Sequence, residues 1–440
     1  MSRCPAILIA ATASGQGKTT LTAALARLHA RQGRRVRVFK CGPDFLDPGW
    51  HALASGQPVY QMDLWMTGED DIRARLHEAA SNSDLILIEG VMGLFDGEPS
   101  AADLAERFGI PVLAVIDASA MAGTFGALAY GLRHYRPSMP WAGVLANRVA
   151  SARHAEMLRA GTREVGDWLG AVMRNEQIVL PHRHLGLTVA TEMSDAMHKL
   201  DAAADCLLDT PLGQMSVQDW QRWAVSFDAP PSRANVSPLL QGRTVAVARD
   251  AAFCFIYQAN LDTLQSLGAQ LVFFSPLQDD ALPVCDALWL PGGYPELHAA
   301  TLQANTRMAQ SVRGHVAAGK PVWAECGGMM ALFETLVQTD GSTHTLWGVL
   351  PGRTVMQPKL AKLGPQQLDL PAGALRGHTF HYSLAHTPLA ACTHTHAPSK
   401  PDGQDEALYQ HGAVRASYFH PWFASAPQAA ASLFLPEAVR

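Results

Sequence analysis

The stretch "AILIAATASGQGKTTLTAALARLHARQG", residues 6–33, decides how the first half of the chain folds. "AILIAA" is a short apolar run of the kind that forms a strand buried on both faces, and "LTAALARLHARQG" has the spacing of an amphipathic helix. Between them lies "ATASGQGKTT", residues 11–20. A glycine-rich loop at that place turns its backbone amides toward phosphates at a helix N-terminus. Gly15 and Gly17 let the chain turn inward, Lys18 reaches the β- and γ-phosphates, and the Thr19 hydroxyl binds Mg²⁺, with Thr20 following in the first helical turn. The strict P-loop spacing asks for glycine where Thr12 stands, but G-x-G-K-T-T between strand and helix remains a specific sign of ATP binding.

Outward from this unit the apolar runs "RVRVFK", "DLILIEG", "PVLAVIDAS" and "WAGVLANR" alternate with helix-like segments up to Arg148, the pattern of a parallel α/β sheet. The carboxylates of Asp44 and Asp47 in "CGPDFLDPGWH", of Glu89 at the end of "DLILIE" and of Asp96 in "GVMGLFDG" fall after successive strands. Parallel strand ends gather on one sheet edge, beside the P-loop. Glu89 is the simplest metal-holding acid, and Asp44, Asp47 and Asp96 are candidates for phosphoryl chemistry or substrate positioning. Any one of them alone reads better as a turn or cap residue. Asn147 reads equally well as an adenine contact and as the cap of the next turn.

Residues 151–225 read as further helices plus the loop "LPHRHLGL". "DAPPSRANVSPLLQG", residues 228–242, lacks periodicity and sets a domain boundary, giving domains 1–235 and 236–440. Beyond it "RTVAVARD", "QLVFFSPL", "DALWLPGG" and "PVWAECGG" form a second alternating series, so the fold class is α/β with two doubly wound domains. The tail from 340 reads as strands and loops, with "THTHAPSKPDGQDE", residues 393–406, as an exposed hairpin tip.

Of the 440 residues 48% are hydrophobic and only 17% charged, against roughly a quarter charged in ordinary soluble domains, which points to extensive buried sheet. The net charge of -5 and the absence of long basic runs exclude a nucleic-acid footprint. No apolar run is long enough for a membrane span, and "MSRCPAILIAATA" is read as a strand rather than a signal peptide. Seven scattered cysteines without a C-x-x-C pair suggest neither disulfides nor zinc, and fit a cytoplasmic protein.

One of those cysteines stands apart. "PVWAECGGMM", residues 321–330, reads as strand, sharp turn and helix, an elbow that would hold Cys326 exposed above its sheet with the helix N-terminus lowering its pKa. "ASYFHPW" supplies His420 as a base, and Gly292 and Gly293 of "LPGGYPE" supply amides for an oxyanion. Alone, Cys326 would read as an inert buried thiol; the three features in this order favour catalysis.

"PGGYPELHA", "ECGGMMAL" and "SYFHP" resemble the class I glutamine amidotransferase domain in its cobyrinic and cobyric acid synthase form. "SGQGKTT", "GPDFLDP", "EGVMGLFDG" and "LPHRHLGL" resemble the matching ATP domain, which is related to dethiobiotin synthetase. The resemblance spans essentially the whole chain and is nearest to the cobyrinic and hydrogenobyrinic acid a,c-diamide synthase family. It implies that Cys326 is the glutaminase nucleophile and His420 its base. It also implies that ATP and Mg²⁺ activate a carboxylate of a corrinoid tetrapyrrole for attack by ammonia from glutamine, and it leaves a homodimer open. Two positions depart from the pattern: Trp422 stands where class I enzymes carry a triad Glu, and Thr379 where the family often has Glu, so no role is assigned there and His378 and His381 read as structural. The rivals are cobyric acid synthase, a synthase amidating nickel-sirohydrochlorin, and a P-loop switch protein. The last would carry a signature lysine where Ala13 stands, and a basic membrane anchor.

Overall fold

The computed structural model describes residues 1–180, 182–183, 186–187, 193–230 and 236–436. The chain divides into two compact units, Met1–Arg233 and Ala234–Arg440. Pro181, His184 and Leu185 of "LPHRHLGL" lie outside the described residues. Among those residues no helix is long and apolar enough to cross a membrane.

In the first unit the strands are β1 (Ser2–Ala11), β2 (Val36–Cys41), β3 (Tyr60–Met62), β4 (Leu85–Glu89), β5 (Val112–Asp117), β6 (Trp141–Val149), β7 (Trp168–Met173), the two-residue β8 (His182–Arg183) and β9 (Gly186–Leu187), and β10 (Ala224–Phe227). Its helices are α1 (Lys18–Arg31), α2 (Asp47–Ser55), α3 (Glu69–Asn82), α4 (Ala101–Phe108), α5 (Thr124–His134), α6 (Ala152–Gly161), α7 (Ala196–Leu208) and α8 (Val217–Trp220). The sheet runs β3-β2-β4-β1-β5-β6-β7, and β10 pairs antiparallel with the first residues of β1. From Cys4 to Ala11 β1 is apolar and buried, because both faces are covered there. Ile7, Ile9 and Ala11 pack with α1, α2 and α7, while Ala6, Leu8 and Ala10 pack with α3, α4 and α5. This is a doubly wound layer, and the C-terminal ends of β1, β2, β4, β5 and β6 share one edge. β7 and the first residues of β10 are strands within the region read from sequence as helices and loop; β7 extends the sheet by pairing with β6.

The second unit starts with β11 (Thr244–Ala248), α9 (Gln258–Ser266), β12 (Gln270–Phe274), β13 (Ala287–Leu290), α10 (Ala299–Ala304), α11 (Thr306–Ala317), β14 (Val322–Glu325) and α12 (Gly327–Leu332). The strands β15 (Phe333–Val337), β16 (Thr343–Thr345), β17 (Leu350–Met356), β18 (Lys362–Leu370), β19 (Gly373–His381), β20 (Ser383–His386), β21 (Ala391–His394), β22 (Ala407–His411), β23 (Val414–Ser417) and β24 (Phe419–Pro421) follow, then α13 (Pro427–Ser432). The main sheet runs β12-β11-β13-β14-β23-β22-β21, parallel from β12 through β23. Alternate residues again face two cores: Ala246, Leu288 and Ala324 one way, Val247, Trp289 and Trp323 the other. A separate sheet, β18-β19-β24, carries His420.

Candidate functional site

At the edge of the first unit, Gly17 caps α1 with φ 93, a left-handed backbone that suits glycine. A Cβ there would overlap the Asn147 side chain, whose Nδ2 donates to the Gln16 carbonyl at 2.9 Å. Gln16 Oε1 in turn accepts the Asp117 N–H at 2.9 Å. Asn147 therefore touches the P-loop itself, stitching it to the ends of β5 and β6. Lys18 Nζ donates to the carbonyls of Ala13, at 3.0 Å, and Met92. Burial, against the attraction of Glu89, lowers the Lys18 pKa.

Thr19 Oγ1 donates to Glu89 Oε1 at 2.7 Å, which places the two oxygens read as a metal pair side by side. Thr20 lies in the same first turn of α1. Glu89 is fully buried, and its other oxygen bonds His51 Nε2. Lys40 Nζ sits 3.7 Å from Glu89, 3.4 Å from Asp47 and 3.1 Å from the Gly90 carbonyl. Burial opposes ionisation of Glu89, but Lys40 and the His51 hydrogen bond overcome it and hold the carboxyl below the usual range. Burial, followed by repulsion from Glu89 and Asp44, pushes Asp47 well above it.

Two of the four acids act on the backbone. Asp44 Oδ1 accepts the Leu46 and Asp47 N–H groups at 2.8 Å, forming the turn into α2, and Asp96 Oδ2 accepts the Gly93 N–H at 2.9 Å, beside the Met92 carbonyl that receives Lys18. Lys40 and His51 were not foreseen. The available signal was helical spacing: His51 follows Asp47 by one turn of α2, on the face turned to Glu89.

In the second unit Cys326 joins β14 to α12 with φ 43 and ψ -106, a strained elbow. A Cβ on Gly328 would overlap the Leu290 carbonyl, so the glycine lets the helix start directly on the end of β13. Two expectations are corrected here. The thiol is buried at 5% exposure rather than exposed, with the Phe380 carbonyl 3.9 Å from Sγ. Its pKa is also raised rather than lowered, because burial, then the nearby Glu296, outweigh the Gly327 N–H. A helix of six residues offers little counterweight.

Gly293 backs onto the elbow: a Cβ on Gly327 would lie 2.9 Å from its nitrogen. Gly292 instead lies against the His420 ring and leaves no room for a side chain there. His420 is buried on β24, opposite His378 of β19, with Nδ1 3.4 Å from Glu325 Oε2. Burial, with repulsion from His381, lowers its pKa to about 3. Thr379 Oγ1 donates to Glu406 Oε1 at 2.8 Å, and His381 Nε2 bonds the same oxygen at 3.0 Å. A carboxylate thus reaches the Thr379 position from residue 406, part of the segment read as an exposed tip, although Glu406 is buried.

A P-loop edge able to hold phosphates and a thiol elbow with a nearby imidazole define a glutamine-dependent amidating ligase with a nucleotide-binding domain. Residues 7–186 match the CobQ/CobB/MinD/ParA nucleotide binding domain, and residues 244–428 match the CobB/CobQ-like glutamine amidotransferase domain. The chain is 57% identical over 433 residues to the hydrogenobyrinate a,c-diamide synthase of Stutzerimonas stutzeri (strain A1501), covering 98% of this chain and 99% of that one. It is 56% identical over 442 residues to the enzyme of the same name from Pseudomonas aeruginosa, covering 99% and 98%. Against the cobyrinate a,c-diamide synthase of Herminiimonas arsenicoxydans the identity is 49% over 433 residues, covering 98% and 97%. The chain belongs to the a,c-diamide synthase family.

Proposed function

We propose that this protein amidates the a and c side-chain carboxylates of hydrogenobyrinic or cobyrinic acid, with residues 1–235 activating each carboxylate and residues 236–440 supplying ammonia. The observation that carries the reading is 57% identity across 98% of the chain to a relative named for that reaction. A substrate carboxylate attacks the γ-phosphorus of ATP, ADP leaves, and ammonia displaces phosphate from the acyl phosphate to form the amide. Lys18, released from the Ala13 and Met92 carbonyls, meets the charge on the transferring phosphoryl group. Asp96 and Asp44 shape the loops around it; Lys40 and His51 hold Glu89 ionised, with Asp47 beside them. The hard oxygens of Thr19 and Glu89 would hold Mg²⁺, which typically takes one or two protein oxygens plus phosphate and water and supplies charge neutralisation when bound.

At the elbow, Cys326 attacks the glutamine side-chain carbonyl, His420 takes the thiol proton and passes it to the departing ammonia, and water cleaves the glutamyl thioester to glutamate. The Gly293 N–H is the nearer candidate for the oxyanion.

Purified protein with ATP, Mg²⁺ and glutamine, offered hydrogenobyrinic acid, cobyrinic acid and nickel-sirohydrochlorin separately, tests the proposal by mass spectrometry. A doubly amidated corrinoid is the expected product. Amidation of the nickel ring alone would overturn it.

A further inference from the structure

Trp422 stands two residues after His420, where class I enzymes carry a triad Glu, and the structure offers a carboxyl from a different strand. Glu325 ends β14, immediately before the nucleophile. Alternation along the strand puts Trp323 and Glu325 on the face opposite Ala324. Glu325 Oε1 accepts two indole N–H bonds, from Trp289 at 2.9 Å and Trp323 at 2.7 Å. Its other oxygen faces His420 Nδ1 at 3.4 Å, longer than a formed hydrogen bond and typical of catalytic contacts before substrate tightens them.

We infer that Glu325 is the positioning residue of the glutaminase: it accepts the Nδ1–H of His420, so that Nε2 is the nitrogen that receives the Cys326 proton. This rests on Cys326 and His420 being the glutaminase pair. The two indoles make the assignment directional. With one carboxyl oxygen committed to two donors, the other is left to address the ring.

Other ionisable groups that interact with His420 include His378 and His381 of β19 and Glu406 before β22. His381 and Glu406 are bonded to each other, and Glu325 is a carboxyl in contact with Nδ1. Burial raises Glu325 to about 8 and keeps His420 neutral at rest. A protonated Glu325 donates to Nδ1 and leaves the ring's hydrogen on Nε2, the wrong tautomer for a base. Loss of that proton turns the base on.

Glu325→Gln tests this sharply. The glutamine carbonyl is held by the two indoles, so its NH₂ must point at Nδ1 and fix the wrong tautomer. Glutamine hydrolysis should fall by roughly 10³-fold or more, as when a triad carboxylate becomes an amide, with the fold retained. The rise of kcat/KM with pH through the Glu325 step should vanish. A residue that only satisfied the indoles would be replaced by glutamine without loss, so a variant with near wild-type hydrolysis and an unchanged pH profile overturns the inference. Should the variant not fold, nitrogen NMR of ¹⁵N-histidine-labelled wild-type protein decides: His420 must carry its proton on Nδ1 above the step, and Nε2–H throughout overturns the proposal. If Cys326→Ala protein still hydrolyses glutamine, the underlying Cys326–His420 reading fails first, and that result is distinct from either outcome above.

Discussion

Glu325 and His420, at 2% and 1% exposure, shift in opposite directions for the same reason, since burial penalises whichever form is charged. Glu325 rises from 4.5 to about 8 and His420 falls from 6.5 to about 3. The consequence for stability follows from counting protons. Between pH 4.5 and 6.5 the folded pair holds one proton, on Glu325, and the unfolded pair also holds one, on His420, so stability from the pair is flat. From 6.5 to 8 the unfolded pair holds none while the folded pair keeps one, so stability falls as pH rises. Below 4.5 the unfolded pair holds two protons against one, and stability falls as pH drops. In Glu325→Gln the alkaline decline disappears. Denaturant unfolding of both proteins should show the difference moving in the variant's favour by about 2 kcal/mol across the upper window. A difference independent of pH would mean that Glu325 is ionised in the folded protein.

The strand, loop and helix formed by β1, the P-loop and α1 show what an element can reveal in advance. Its period-change from strand to helix and its loop chemistry all lie within residues 6–33, so local pattern was enough. The same holds for the elbow at "PVWAECGGMM". Gly17→Ala should test how tightly the loop is built: it meets both the left-handed φ of 93 and the Asn147 side chain, whereas Gly15→Ala meets a φ of 77 with open space around it. Both should weaken ATP binding through strain of about 1–2 kcal/mol, and Gly17→Ala should lose more, measured by titration calorimetry. Equal losses would mean that the Asn147 contact to Gln16 contributes nothing to the loop. What could not be read is what depends on distant partners. The "WLGAVM" of β7 sits among helix-like segments, and the four residues of β10 become a strand only against β1. Lys40, His51, Glu325 and Glu406 carry no local motif; each matters through a neighbour between 25 and 95 positions away. The raised thiol pKa was missed because helix geometry is visible in sequence and burial depth is not.

At the scale of the molecule, the residues proposed for each chemistry fall within one unit, Lys18 through Asn147 in the first and Trp289 through His420 in the second. Cys326→Ala should therefore abolish amidation driven by glutamine and keep amidation driven by ammonium salts, because the activated carboxylate needs only NH₃. Removing one sulfur leaves a small cavity, within the range a stable domain tolerates. Loss of both activities in a folded protein that still binds ATP would show that the thiol does more than release ammonia. The pairing of β10 with β1 has a consequence during synthesis. Ser2, Arg3, Cys4 and Pro5 leave the ribosome before the rest of the first unit's strands and helices, yet their partners Phe227, Ser226, Val225 and Ala224 come near that unit's end. While β4 and β5 flank Ala6–Ala11, the leading residues of β1 must wait without this partner until nearly the whole unit has been translated, so the nascent chain completes that pairing late, while the second unit is only beginning to emerge.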